Sequence, residues 1–185
     1  MVEMSIYGVS FDLVGKQPIV LLKTAEGNRY LPIWIGHPEA AAILMKLQGS
    51  EPQRPMTHDL LAAMVNSLDA EIRSVTVTEL RENTFHARIT LVRDGTEIEI
   101  DSRTSDAIAL ALRADAKIFA ADEVIEESGV EFEGDEEEAS RQLTGQQSLA
   151  DLDPAEFRRF LDTVTPDEFG TDPEEELGAD PEEEI

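Results

Sequence analysis

Two short stretches place an arginine, a hydroxyl and a carboxylate together just ahead of an apolar run. One is Arg54-Pro55-Met56-Thr57-His58-Asp59, followed by Leu60 to Val65; the other is Arg103-Thr104-Ser105-Asp106, followed by Ala107 to Leu112. In each, the threonine suits a helix N-cap and the aspartate falls in the first turn, where the helix dipole favours negative charge. Helix starts leave backbone N–H groups without partners, so two such starts facing one another would suit a phosphate or a carboxylate-held metal ion. Glu39, Asp101 and Asp106, joined to the His58-Asp59 pair, make a donor set suited to Mg²⁺ or Mn²⁺ and to phosphodiester hydrolysis. Arg54 and Arg103 could hold phosphate oxygens through paired N–H donors. Each residue also has an ordinary role as a cap, a dipole partner or a surface ion pair, and spacing does not choose between the two readings.

Other chemistries are less well supplied. The chain has no Gly-rich phosphate loop, no nucleophile elbow and no His-Glu-x-x-His helix. It has no cysteine, which removes disulfides, thiolate ligands and a cysteine nucleophile together. Of the three histidines, His86 falls mid-strand between Phe85 and Ala87, a structural or surface position, and His37 stands at a helix entrance. Only His58 adjoins a carboxylate, and successive helical residues point about 100° apart, so His58 and Asp59 need not serve one site.

The elements that must position these groups follow from periodicity and turn chemistry. Strands are predicted over Val2–Asp12, Gln17–Thr24 and Arg29–Ile35, with a turn at residues 25–28. Gly36 stops the third strand, Pro38 suits a first helical turn, and Glu39–Gln48 reads as a helix. After the Thr57 helix, Ala70–Leu80 and Thr84–Arg93 alternate cleanly, and Asp94-Gly95 signals a tight hairpin into Thr96–Asp101. The Thr104 helix, a strand at Lys117–Ala120 and a helix at Asp122–Glu127 complete an α+β pattern in one domain, strand groups punctuated by three to four helices.

Charge divides the chain. Residues 1–120 carry 12 Lys and Arg against 16 Asp and Glu, whereas residues 121–185 carry 3 against 24. The first part is a nearly balanced domain, taken to end at 126; residues 127–185 are an acidic linker and a mostly disordered tail. Within the tail, Asp153-Pro154 opens a helix over about 153–164 whose Phe157, Phe160, Leu161 and Val164 share one face. Such a polyanion repels nucleic acid and anionic membranes, and residues 153–185 suit a protein partner. The start lacks a secretory pattern and the apolar runs are too short to span a bilayer, so a cytoplasmic protein without membrane attachment is expected.

Three stretches together resemble the bifunctional nuclease (BFN domain) family. Pro32 to Ile43 resembles its P-I-x-I-G-x-x-E-A-x-A-I signature, Arg54 to Leu61 its R-P-x-T-H-D-L-L, and Asp101 to Arg113 its D-A-R-P-S-D-A-I-A-L-A-L-R. They occur in the family's order and cover roughly residues 1–126, with Ser102 and Thr104 where the pattern has Ala and Pro. The resemblance implies a compact, homo-oligomeric α+β domain with a mixed sheet, partial barrel closure being one option, and a divalent-metal-dependent nuclease of low sequence specificity on DNA or RNA. Residues on motif positions are Glu39, Arg54, Thr57, His58, Asp59, Arg103, Ser105 and Asp106. The expected roles are His58, Asp59 and Asp106 in catalysis; Arg54, Arg103, Thr57 and Ser105 on phosphate; and Glu39, Asp59 and Asp106 on the metal. The competing expectation is a non-catalytic oligomeric regulatory module whose acidic tail recruits a partner.

Overall fold

The computed structural model describes residues 1–12, 15–50 and 52–131. Their elements run β1 (Val2–Asp12), β2 (Gln17–Thr24), β3 (Arg29–Trp34), α1 (His37–Leu47), α2 (Thr57–Ser67), β4 (Ala70–Arg81), β5 (Thr84–Arg93), β6 (Thr96–Arg103), α3 (Thr104–Ala114), β7 (Lys117–Ala120), α4 (Asp122–Ser128) and β8 (Val130–Glu131). The helix expected over 153–164 lies outside the described residues.

Eight strands form one mixed sheet in the order β6-β5-β4-β7-β1-β2-β3-β8. Only β4 and β7 run parallel; the other neighbours are antiparallel. Partial barrel closure is not realised: β6 and β8 end the sheet at opposite edges. The sheet nevertheless bends, since α4 lies against both β3 and β4. Asp94 and Gly95 both take positive φ in the β5–β6 hairpin, as the Asp-Gly pair requires. The β4–β5 hairpin uses the same geometry with Glu82 and Asn83, two non-glycine residues in the left-handed region.

The alternating apolar residues face the core: Ile72, Val75 and Val77 of β4 and Ala87, Ile89 and Leu91 of β5 are buried. β6 breaks this pattern. Its Ile98 and Ile100 stay exposed because β6 is an edge strand with no layer over that face. α3 is the central helix, with Ala107 to Ala111 all buried against α1, α2 and the sheet. The run of small residues lets these neighbours approach closely.

Thr57 and Thr104 are not the caps that their position suggests. Both are first helical residues, with Met56 and Arg103 as the flanking positions. Asp59 supplies the cap function on α2, accepting the Met56 backbone N–H at 2.9 Å. The Thr104 hydroxyl instead reaches across to the Phe85 carbonyl at 2.9 Å, pinning the start of α3 to β5.

Arg113, near the end of α3, is the pin at the other end. Its guanidinium is 6% exposed and donates to Asp59 Oδ1 on α2 at 2.5 Å, to the Ala42 carbonyl of α1 at 3.2 Å and to the Ala109 carbonyl at 2.9 Å. A buried guanidinium without its carboxylate is costly, so Asp59→Ala is expected to destabilise the domain by about 3 kcal/mol. A urea midpoint unchanged from wild type would refute this assignment of Asp59.

Candidate active site

The sheet delivers Arg103 at the end of β6, directly across from His86 on β5. Three residues further on, Asp106 lies in the first turn of α3. The Arg103 guanidinium grips it with two bonds, Nε to Oδ2 at 2.6 Å and Nη2 to Oδ1 at 3.0 Å. The same Nη2 lies 2.8 Å from Glu39 Oε1 in the first turn of α1. His58, in the first turn of α2, places Nε2 3.0 Å from Asp106 Oδ1. The starts of α1, α2 and α3 are thus tied into one cluster through Arg103 and Asp106.

Gly36 makes room for this. A Cβ at that position would collide with the Glu39 carboxylate, which folds back over it. The backbone there is ordinary extended conformation, so the requirement is for space.

Burial would raise the Asp106 pKa, but hydrogen bonds from Arg103 and His58 and their charges outweigh it and hold the carboxyl below its usual value. The bond to Asp106 raises the Arg103 pKa further above its ordinary value, against the effect of partial burial. Asp59 is also lowered: burial opposes ionisation, but the Met56 N–H and Arg113 prevail.

The accessible side of the cluster is a cleft of about 540 Å³ between the end of β3, the β4–β5 hairpin, the end of β6 and the start of α3. Arg103, Ser105, His86, Asp101, Asn83 and Trp34 line it. Arg103 is 67% exposed, whereas His58 is 9% exposed and Glu39 is largely covered. The group presented to a ligand is therefore the guanidinium; the two acids and the imidazole stand behind it.

Of the residues singled out from sequence, Glu39, His58, Arg103 and Asp106 meet, and Ser105 is buried beside them at the cleft. Asp59 turns away to Arg113, because its neighbour His58 takes the direction toward Asp106. Arg54 and Thr57 are exposed on the approach to α2 and do not line the cleft. Among the described residues no three His, Asp or Glu side chains gather as a metal-holding group. Both Asp106 oxygens and one Glu39 oxygen already accept from Arg103, and Asp59 is elsewhere. In this arrangement the expected Glu39–Asp59–Asp106 set does not fit a divalent ion.

Three residues of consequence carry weak sequence signals. Arg113 closes the third motif but reads as an ordinary C-terminal cation of a helix. His86 looks like a mid-strand residue until the β5–β6 register sets it opposite Arg103. Trp34 sits within the first motif, and only the end of β3 turns it outward.

The sequence pattern of the bifunctional nuclease domain family matches residues 20–133. The chain belongs to that family. It is also similar to two uncharacterized proteins of Mycobacterium tuberculosis, from strains CDC 1551 / Oshkosh and ATCC 25618 / H37Rv. Each is 37% identical over 169 residues, covering 90% of this chain and 97% of the relative. A match of that extent runs beyond residue 133, so these relatives share part of the acidic C-terminal region as well. No helix among the described residues is long and apolar enough to cross a membrane.

The lowered pKa values of Asp59 and Asp106 fix the sign of an acid effect. A carboxyl ionised more readily when folded binds fewer protons than in the unfolded chain, so its contribution is complete above the ordinary value of 3.8 and lost as pH falls below it. The urea midpoint is expected to hold between pH 7 and 5 and to drop steeply below pH 4. Asp106→Asn should flatten that drop; an acid limb unchanged in this variant would refute the coupling.

Proposed function

We propose that this chain is a nuclease of low sequence specificity, hydrolysing phosphodiesters of DNA or RNA with Arg103 as its phosphate-binding group. The observation that carries this reading is the exposed guanidinium of Arg103, held by two carboxylates from two helix starts at the mouth of a cleft. A guanidinium fixed before the substrate arrives need not be reoriented when charge develops on the phosphoryl oxygens. Glu39, Asp106 and His58 act as positioning residues behind it. His86, which pairs with Arg103 across the two strands, lines the same cleft and has Arg81 Nη2 3.4 Å from its Nε2, is assigned the acid–base role.

Arg103 and His86 act here without a divalent ion. The family-level expectation of Mg²⁺ or Mn²⁺ is tested by adding each back to metal-stripped protein. We further propose a cytoplasmic setting.

The test is cleavage of single- and double-stranded DNA and RNA by wild type and by Arg103→Gln, purified identically to control for a contaminating nuclease. The variant is expected to lose about 10²-fold in rate, the typical effect of removing one preorganised donor. Arg103→Lys should not restore it, since a lysine cannot supply the forked contact. Equal cleavage by wild type and Arg103→Gln would sink the assignment.

A second reading, the oligomeric interaction module, has one observation of its own. α2 buries only His58, while Leu60, Leu61, Met64 and the following Leu68 are exposed, and no charged side chain falls between Asp59 and Asp69. An uncharged apolar face of this kind suits a second copy of the chain, and it can coexist with the nuclease. Sedimentation is expected to show an oligomer that the Leu60→Glu, Met64→Glu double variant converts to monomer. A monomeric wild type at micromolar concentration would rule out this role for α2.

A further inference from the structure

Trp34 is the single tryptophan of the chain, and it ends β3 on the wall of the Arg103 cleft with half of its surface exposed. An indole at a strand end ordinarily covers part of the core. Here its indole N–H lies 3.5 Å from Asp12 Oδ2 on β1, so the ring has a polar tether while its body faces the cleft. The residue before it, Ile33, is buried, and β3 is held in register by β2, pairing Trp34 with Ile19. The backbone beneath the ring is therefore fixed.

The remaining lining is what an unpaired nucleotide would need. Arg103 supplies a guanidinium for the phosphate, and Asn83, Ser102 and Gln17 supply hydrogen-bonding groups for base edges and sugar. Asn83 is held at the rim by a turn in which both central residues take positive φ. A base inside a duplex has both faces stacked on its neighbours and offers none to an indole; an unpaired base offers one. The cleft volume, about 540 Å³, suits a nucleotide-sized ligand and not a helix about 20 Å across.

Building on the nuclease reading, we infer that Trp34 is a stacking platform for one unpaired base beside the phosphate held by Arg103, so that the substrate is single-stranded nucleic acid. The charge distribution fits a short contact. The domain is nearly neutral overall and the C-terminal region strongly negative, so long-range attraction of the strand is weak and stacking has to supply much of the affinity. Binding should therefore show a shallow dependence on salt.

Because the chain has one tryptophan, its emission reports on this ring alone. The full chain is titrated with a phosphorothioate (dT)₁₂ strand, which resists cleavage, and with a phosphorothioate hairpin duplex of the same length whose loop is a non-nucleotide linker, so that every base is paired. The single strand is expected to quench the emission saturably and the hairpin to do so at least tenfold more weakly. In parallel, anisotropy of a dye-labelled strand measures affinity for wild type, Trp34→Ala and Trp34→Phe. Alanine should weaken binding roughly 5- to 150-fold, the range for loss of one stacked base, and phenylalanine should retain most of the affinity. Strand binding without quenching, or with equal affinity in the alanine variant, would overturn the platform and leave the nuclease reading standing. Equal affinity for hairpin and strand would overturn the single-strand preference. Absence of binding by either probe, together with absence of cleavage, would overturn both the inference and the reading beneath it.

Discussion

A guanidinium taken out of water has to be answered on every side, and Arg113 is answered from three helices at once. Asp59 of α2 neutralises it and accepts from Nε, the Ala109 carbonyl of α3 accepts from Nη1 and the Ala42 carbonyl of α1 from Nη2, and its side chain is almost wholly covered. Removing any one of these elements would strand the charge, so α1, α2 and α3 cannot drift apart singly. Small residues along α3 permit the close packing, but small residues alone slide; the directional bonds at Arg113 fix the register.

That register has its effect one helix-length away. Arg113 and Arg103 bracket α3, and both reach to α1 and α2: Arg113 directly to Ala42 and Asp59, Arg103 to Glu39 directly and to His58 through Asp106. His58 and Asp59 are neighbours in sequence, and their divergence on the helix lets one turn of α2 serve both ends. The two adjoin in sequence, but successive helical residues point about 100° apart. In space they are two separate fastenings, one of which organises the cleft while the other holds the helices that make the cleft possible.

Much of the fold could be read from the chain because its signals were local. Alternation in β4 and β5, the Asp94-Gly95 turn and the helix starts at residues 57 and 104 each depend on a few adjacent residues. The site was legible only in part. The meeting of Glu39, His58, Arg103 and Asp106 spans 67 residues of sequence, and nothing local reports that three helix starts point at one another. The threonines mislead for a related reason: Thr104 has the right chemistry for a cap, but the helix already begins at it, and its hydroxyl donates to the Phe85 carbonyl that the sheet brings near. β8 carries no such signal, since two residues are too few to show a period, and the strand exists only through its pairing with β3. His86 shows the limit most clearly. Its significance is a property of register, and register is set by the turn at Asp94-Gly95, well along the strand.

The carboxylates at the cleft argue for a particular division of labour. Arg103 sits between Asp106 and Glu39, so the cluster as a whole does not carry a positive excess, and the chain beyond residue 120 is strongly negative. A site relying on attraction from a distance would be built the other way round, with unopposed cations along a groove. What the arrangement offers instead is orientation: a fork of donors whose direction is fixed by its own carboxylate partners and whose exposed edge faces the cleft. Orientation acts only once a ligand has entered, and entry in a repelling field has to be favoured by something other than charge. An exposed indole on the same wall is such a contribution, because stacking against an unpaired base does not depend on the sign of the surrounding field. On this argument the acidic C-terminal region and the aromatic wall are complementary, the first lowering adsorption to nucleic acid in general and the second selecting the strands that can present a base.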